Sequence, residues 1–353
     1  MLCCMEKNEM WEHILGHEAQ KAFLKNYLQA QERPHALLFC GAEGLGKREL
    51  AFAFAKALLC ESHTGTDHCE ACRLMNIEAH DCSHPDFLLV KREFNTEKNR
   101  YEDITVDQVR ALISKTAFAP VMGATKVCII DDVDCMRAEA ANSMLKLVEE
   151  PPEGWVLLLI ATSVNRLLPT ILSRVVQLRF APVALPLVEQ KLVEQGIAQE
   201  QAAVLARLAE GSIGQALKLY EGDKQNGVAY NVLEYRKQAW AFLEALPLNM
   251  PLNYLAGRTW LDGKLQRAEA QLLVQLWQLL IRDLLLCKLQ LYDRIYNIDL
   301  TDALRAQCRG WQVAGLKKAL AATGEAYLAL GQFVGVKVAL EALALKIDEA
   351  YKE

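Results

Sequence analysis

The segment Gly41-Ala-Glu-Gly-Leu-Gly-Lys47 constrains this chain more than any other. Gly41, Gly46 and Lys47, with Gly44 between them, match the phosphate-binding pattern G-x-x-x-x-G-K-[ST]. In such a loop the glycines let backbone N–H groups turn onto phosphate oxygens, and the lysine reaches the terminal phosphates. The pattern needs a buried strand leading in and a helix leading out. His35-Ala-Leu-Leu-Phe-Cys40 is a short apolar run and reads as a buried parallel strand. Glu49–Leu59, rich in Ala, Leu and Phe, reads as a helix. An ordinary Gly-rich turn is the lesser reading, because both flanks are of the required kind.

The eighth place of the pattern is where the chain departs. Arg48 stands where a Ser or Thr hydroxyl should ligate Mg²⁺, and a guanidinium has only donors. The architecture is that of an ATPase that lacks a part. The other half of the site is Lys126-Val-Cys-Ile-Ile-Asp-Asp-Val-Asp134. It reads as a strand carrying Asp131 to its carboxyl end, where α/β sheets place ligands. Asp131 would face Mg²⁺ through water. Asp132 stands where active ATPases of this class carry a Glu. Its carboxylate would sit about an ångström too far back for positioned base catalysis. The plainer reading is a strand that ends in a solvated acidic turn.

Up to about residue 180 short apolar strands alternate with helices, the signature of a parallel α/β sheet. The expected strands are Ala36–Cys40, Phe87–Val90, Lys126–Ile130, Val156–Ala161 and Val175–Leu178. Lys91–Tyr101 is polar and charged and reads as a surface loop. Beyond Pro182 strand signals stop. Two or three short helices follow, with Glu210–Gly214 as the turn between the last two. After Asn226-Gly227 come long Leu- and Ala-rich helical patterns at about Val232–Leu246, Leu265–Leu291 and Leu316–Glu349.

With 353 residues, the chain can hold two or three domains. A net charge of −5 excludes a global basic field that would draw it onto nucleic acid. The stretch Leu272–Leu291 contains Gln275, Gln278, Arg282, Asp283 and Lys288, which makes it an amphipathic or buried helix rather than a membrane span. The opening residues Met1–Lys7 lack the apolar run of a signal peptide. Eleven cysteines without an export signal point to reduced thiols or metal ligands in a cytoplasmic protein.

Three of the cysteines have metal-ligand spacing. Cys60, Cys69 and Cys72 form C-x₈-C-x₂-C, in which thiolates on a tight x₂ turn can share one structural Zn²⁺. Met75 stands where a fourth ligand is expected, so Cys82 or a nearby histidine (His68, His80 or His84) would have to complete it. The alternative is three unrelated thiols. Arg174, which ends Leu168-Pro-Thr-Ile-Leu-Ser-Arg174, also has two readings. It is either a salt-bridged surface residue or an arginine finger that stabilises phosphate charge on a neighbouring subunit.

Together these segments resemble the bacterial clamp-loader family of AAA+ proteins. The resemblance covers most of residues 10–220. Besides the loop, the cysteine insertion and the Asp131 strand, it includes Pro34–Phe39, His84-Pro-Asp86, Ile104–Arg110, Asn142–Pro152 and Leu168–Arg174. It implies a RecA-like α/β P-loop domain over 1–180 with the insertion at about 60–85. A helical lid over 181–225 and an all-α collar over 226–353 would follow. It implies a place in a heteropentamer with gamma/tau and delta subunits, which uses ATP to load a sliding clamp onto primed DNA for DNA polymerase III. In that setting Arg174 is the finger in trans, and Gly41, Gly44, Gly46, Lys47, Asp131 and Asp132 form a degenerate ATP or ADP site. The motor subunits keep a Thr after the lysine, a Glu beside the strand Asp and an Arg in a Gly-Ser-x-Arg turn. Here those places hold Arg48, Asp132 and Gly214, so a stator that is not catalytic alone is expected. The alternative is an ATP-hydrolysing gamma/tau-type motor.

Overall fold

The computed structural model describes residues 11, 13–66, 69–76, 81–96, 100–222, 232–248, 265–332 and 334–353. They form two compact units. One is Met1–Val188 with Gly211–Gly214, and the other is Glu189–Glu210 with Gln215–Glu353. The amino-terminal residues expected to lack a signal peptide lie outside the described residues, as does Asn226-Gly227.

The first unit runs through α1 (Glu18–Gln29), β1 (Ala36–Cys40), α2 (Lys47–Leu59), α3 (Glu70–Leu74), β2 (Met75–Asn76) and β3 (Asp81–Cys82). It continues through β4 (Phe87–Val90), β5 (Phe94–Asn95), β6 (Arg100–Tyr101), α4 (Val106–Lys115) and β7 (Lys126–Ile130). It then adds α5 (Ala138–Glu149), β8 (Trp155–Ala161), α6 (Pro169–Leu172) and β9 (Val176–Arg179). Five strands form one sheet in the order β4-β7-β8-β1-β9, and every neighbouring pair is parallel. This is the α/β sheet expected, with β8 starting one residue early and β9 shifted by one.

The apolar runs form strands because both sheet faces are covered. Leu37 and Phe39 of β1 point into a core with Leu50 and Phe54 of α2, while Ala36, Leu38 and Cys40 face Met144 and Val148 of α5. Alternate residues serve opposite faces, so a strand covered on both sides has no place for a polar residue. Ala51, Ala53, Ala55 and Ala57 of α2 are buried and small, which lets the helix lie close to the sheet. Fully burying Phe39 or Leu38 contributes about 1.5–3 kcal/mol each, so Leu38→Asp would break the sheet at an interior strand. Helix α4 starts at a capping box: Gln108 N–H donates to Thr105 Oγ1, and Thr105 N–H donates to Gln108 Oε1. The expected surface loop at 91–101 holds β5 and β6, which pair antiparallel with Phe94 and Tyr101 ring centres 5.1 Å apart. Cross-strand aromatic packing supplies what the polar composition concealed.

The second unit starts within α7 (Leu185–Glu194) and contains α8 (Gln199–Leu208), α9 (Ile213–Glu221) from Gln215 onward, α10 (Val232–Glu244) and α11 (Arg267–Lys288). It ends with α12 (Thr301–Gln307), α13 (Val313–Gly331) and α14 (Val336–Lys352). Helix α11 is long and apolar enough to cross a membrane by length and composition. Here Leu273, Trp277, Leu280, Ile281 and Leu284 are buried in this unit's core, and Trp277 Nε1 donates to the Ala239 carbonyl. Asp283 is wholly buried on the same helix and accepts from the N–H groups of Tyr296 and Asn297 and from Asn297 Nδ2. The single pattern expected at 316–349 is two helices. The break follows Gly331, and Arg267 donates to the carbonyls of Leu330, Gln332 and Val334, satisfying acceptors that a helix end leaves open.

Candidate nucleotide-binding site

The loop between β1 and α2 has Gly41, Gly44 and Gly46 at φ 151°, 75° and 83°. A Cβ on Gly41 would lie 2.4 Å from the Phe180 carbonyl oxygen, so only glycine passes there. Three outside groups hold the loop's carbonyls. Ser212 Oγ donates to Glu43 O at 3.0 Å, Gly214 N–H to Gly44 O at 3.0 Å, and His17 Nε2 to Leu45 O at 2.8 Å. In a trans peptide the C=O and N–H point in opposite directions. The N–H groups of Gly44, Leu45 and Gly46 are therefore turned away from those partners, as a phosphate nest requires. Burial lowers the His17 pKa, and its bond to the Leu45 carbonyl opposes that. The sequence reading gave His17 and Ser212 no role beyond the turn assignment and used Gly214 only for the arginine it lacks, because no local pattern announces a carbonyl's distant partner.

Lys47 is the first residue of α2 and is buried; its Nζ donates to Gly41 O at 2.6 Å and to Ala42 O at 2.5 Å. Burial lowers its pKa, and Glu43 and the nearby aspartates oppose that. These groups fit a bound phosphate: a lysine at hand, glycine turns and oriented N–H groups. They do not fit Mg²⁺. Arg48 Nη1 lies 3.3 Å from Asp131 Oδ2, and its guanidinium carbon lies 5.5 Å from the Phe52 ring centre. Asp131, just past β7, is thereby engaged by a cation on its own chain. Burial raises its pKa and Arg48 opposes the rise.

Asp132 has a left-handed backbone, φ 57°, and its pKa is raised first by burial and then by Asp131. Asp134 plays the structural part that the sequence reading left unassigned. It accepts from Thr162 N–H at 3.2 Å, Thr162 Oγ1 at 2.7 Å and Ser163 N–H at 3.0 Å, tying the end of β8 to the loop after β7. Gly214 lies against the phosphate loop. A Cβ there would be 2.9 Å from Gly44 Cα.

Arg174 follows α6 and is exposed. Its Nε lies 3.0 Å from Glu149 Oε1, and its Nη1 donates to Thr170 O and Ser173 Oγ. The sequence around it offers no acid, but α5 brings one.

Cys60, Cys69 and Cys72 are brought together, their sulfurs all within 4.8 Å of one another. Zinc–sulfur bonds of about 2.3 Å place tetrahedral sulfurs about 3.8 Å apart, so the group fits three corners of a zinc–thiolate site. Cys72 N–H donates to Cys69 Sγ at 3.4 Å, which holds the x₂ turn closed. Met75 is buried and pairs with Cys82 across β2 and β3, and neither Cys82 nor His84 joins the three sulfurs. His68 and His80 lie outside the described residues.

A family model described as "DNA polymerase III, delta subunit" matches residues 16–184. The DNA polymerase III subunit delta′ of Bacillus subtilis is 27% identical over 98% of this chain and 98% of its own length. That of Pseudomonas aeruginosa is 39% identical over 41% of this chain and 43% of its own length. A DNA polymerase III gamma subunit-related protein from Thermotoga maritima shares the fold, with a TM-score of 0.50 and 18% identity, over 95% of this chain and 99% of that one. The chain is thus similar to DNA polymerase III delta′ subunits, over its whole length to that of Bacillus subtilis and most strongly in its amino-terminal half.

Proposed function

We propose that this chain is the stator-type subunit of the DNA polymerase III clamp loader. It joins gamma/tau and delta subunits in a ring that loads the sliding clamp onto primed DNA, and it does not hydrolyse ATP itself. One observation carries the non-motor part. The phosphate loop keeps its architecture, while the Arg48–Asp131 ion pair takes the place where a hydrolysing site holds Mg²⁺. Asp132 and Gly214 in place of the motor's Glu and Arg agree with it. The lid at 181–225 and the collar at 226–353 would carry this subunit's part in assembly. Cys60, Cys69 and Cys72 would hold a structural Zn²⁺ that stiffens the insertion.

Arg174 is the one residue to which we give a catalytic role, as a finger on a neighbour's nucleotide. Glu149 would then hold it in readiness on the free chain. Reconstitution tests the reading. Gamma/tau, delta and clamp should load primed DNA only when this chain is added, and the isolated chain should show no ATP turnover. Loading without the chain, or turnover by the chain alone of roughly 1 s⁻¹ that Lys47→Ala abolishes, would sink it.

A further inference from the structure

We propose that the phosphate loop of this chain takes a nucleoside diphosphate without a divalent cation, with Arg48 supplying fixed charge where a hydrolysing site takes up Mg²⁺. The inference rests on the phosphate-site reading above and goes beyond it in naming the ligand and excluding the metal.

Three observations support it. The anion side of the site is built: the carbonyls of Glu43, Gly44 and Leu45 are held by Ser212, Gly214 and His17, which turns the N–H groups of Gly44, Leu45 and Gly46 the other way. The cation side is closed. A Mg²⁺ at Asp131 would stand beside the Arg48 guanidinium, 3.3 Å from the same carboxylate, and would find no hydroxyl ligand at residue 48. Finally, Arg48 has a donor to spare. Its Nε is shut from solvent without a hydrogen-bond partner among the described residues. The side chain leaves α2 one residue past Lys47, at the helix end where phosphates bind, so a small movement of the guanidinium would bring that donor to an anion.

The charges choose between di- and triphosphate. Lys47 and Arg48 lie among Glu43, Asp131, Asp132 and Asp134, so two positive and four negative side chains sum to −2 when all are ionised. A lysine with Mg²⁺ would bring one more positive charge than Lys47 with Arg48. A triphosphate brings one more negative charge than a diphosphate and has no metal here to screen it. The diphosphate is therefore the better ligand.

The test uses the full chain and a fluorescent ADP analogue, titrated by anisotropy in EDTA and in Mg²⁺. The two affinities should agree within about twofold, and the ATP analogue should bind several-fold more weakly in EDTA. Pyrophosphate should compete poorly if the nucleoside is read; competition equal to that of ADP would overturn the nucleoside part. Arg48→Thr puts the hydroxyl back, and its binding should become at least about tenfold tighter with Mg²⁺ than without. Asp131→Asn removes a carboxylate that repels phosphate, so it should keep or tighten metal-free binding, where a metal-held site would lose affinity. Absence of binding in EDTA at millimolar analogue, or Mg²⁺ tightening the wild type more than about tenfold, would overturn the proposal. Clamp loading by the reconstituted ring is read separately, so either idea can fail while the other stands.

Discussion

Replacing Gly214 with alanine sets two effects of opposite sign against each other. Gly214 is the second residue of α9, and its backbone is outside the left-handed region. At an ordinary helix position of that kind alanine stabilises by up to about 1 kcal/mol. Here the new Cβ would lie 2.9 Å from Gly44 Cα and 3.0 Å from Gly44 O, and both are backbone atoms. Carbon contacts are comfortable at about 3.5–4.0 Å, so the two segments must part by roughly half an ångström or more. That movement also stretches the 3.0 Å Gly214 N–H···O Gly44 bond. Overpacking costs about 1–3 kcal/mol, and weakening the bond costs about 0.5–1.5 kcal/mol. The losses exceed the helix gain, and a net destabilisation of about 1–2 kcal/mol follows. Urea unfolding gives the magnitude. Hydrogen exchange at residues 41–48 should quicken, because the loop's outer anchor has been pushed off. A variant as stable as wild type, with unchanged exchange in the loop, would show that the close approach does not control this turn. Gly214→Arg, which recreates the motor subunits' residue, should be worse still.

Arg174→Ala should change stability by less than about 1 kcal/mol, since its pair with Glu149 is solvent-exposed. It should nevertheless lower the DNA- and clamp-stimulated ATPase of the assembled loader, and Arg174→Lys should not rescue it; wild-type ATPase would remove the finger. Asp86 is wholly buried and accepts from Val121 N–H at 2.8 Å and Met122 N–H at 2.7 Å. Asp86→Asn turns one acceptor into a donor and should cost about 2–4 kcal/mol by urea unfolding. Burial, then Asp131, raises the Asp132 pKa above the ordinary 3.8, so the stability linked to its proton is complete below that value and is lost as pH rises through the folded-state pKa. Asp132→Asn should thus unfold later than wild type at about pH 7 and lose that advantage near about pH 3. If zinc sits on the three thiols, purified protein should carry it by elemental analysis, and Cys69→Ser should lose it and melt earlier; metal-free protein with an unchanged melting temperature removes the site.

The central sheet was legible because a strand covered on both faces favours apolar residues, and β1 and β8 are such runs, with Gly41 ending β1. The phosphate loop was legible because its glycines have no other common use at that spacing. Its anchors were not. Ser212 is 169 residues from the carbonyl it holds, and a backbone acceptor leaves no mark on the sequence. Glu149 was hidden for a similar reason, since it reaches Arg174 only after α5 and α6 are packed. The break between α13 and α14 was missed because apolar residues keep helical spacing on both sides of it. The carbonyls at the end of α13 and just beyond it are taken up by Arg267, which lies far upstream. The cysteine cluster was read from its spacing, and its three members do converge.

The three held carbonyls of the phosphate loop have a consequence for when entropy is lost. A flexible glycine loop gives up about 1–2 kcal/mol of backbone freedom per residue when it is ordered. In this chain Ser212, Gly214 and His17 order Glu43, Gly44 and Leu45 during folding, before any anion arrives. A ligand that meets a stiff loop loses little of its contact energy to ordering it. The sensitivity is moved elsewhere: loosening His17 or the 211–214 turn would weaken anion binding without touching the anion, and would register as a slower, entropy-limited capture.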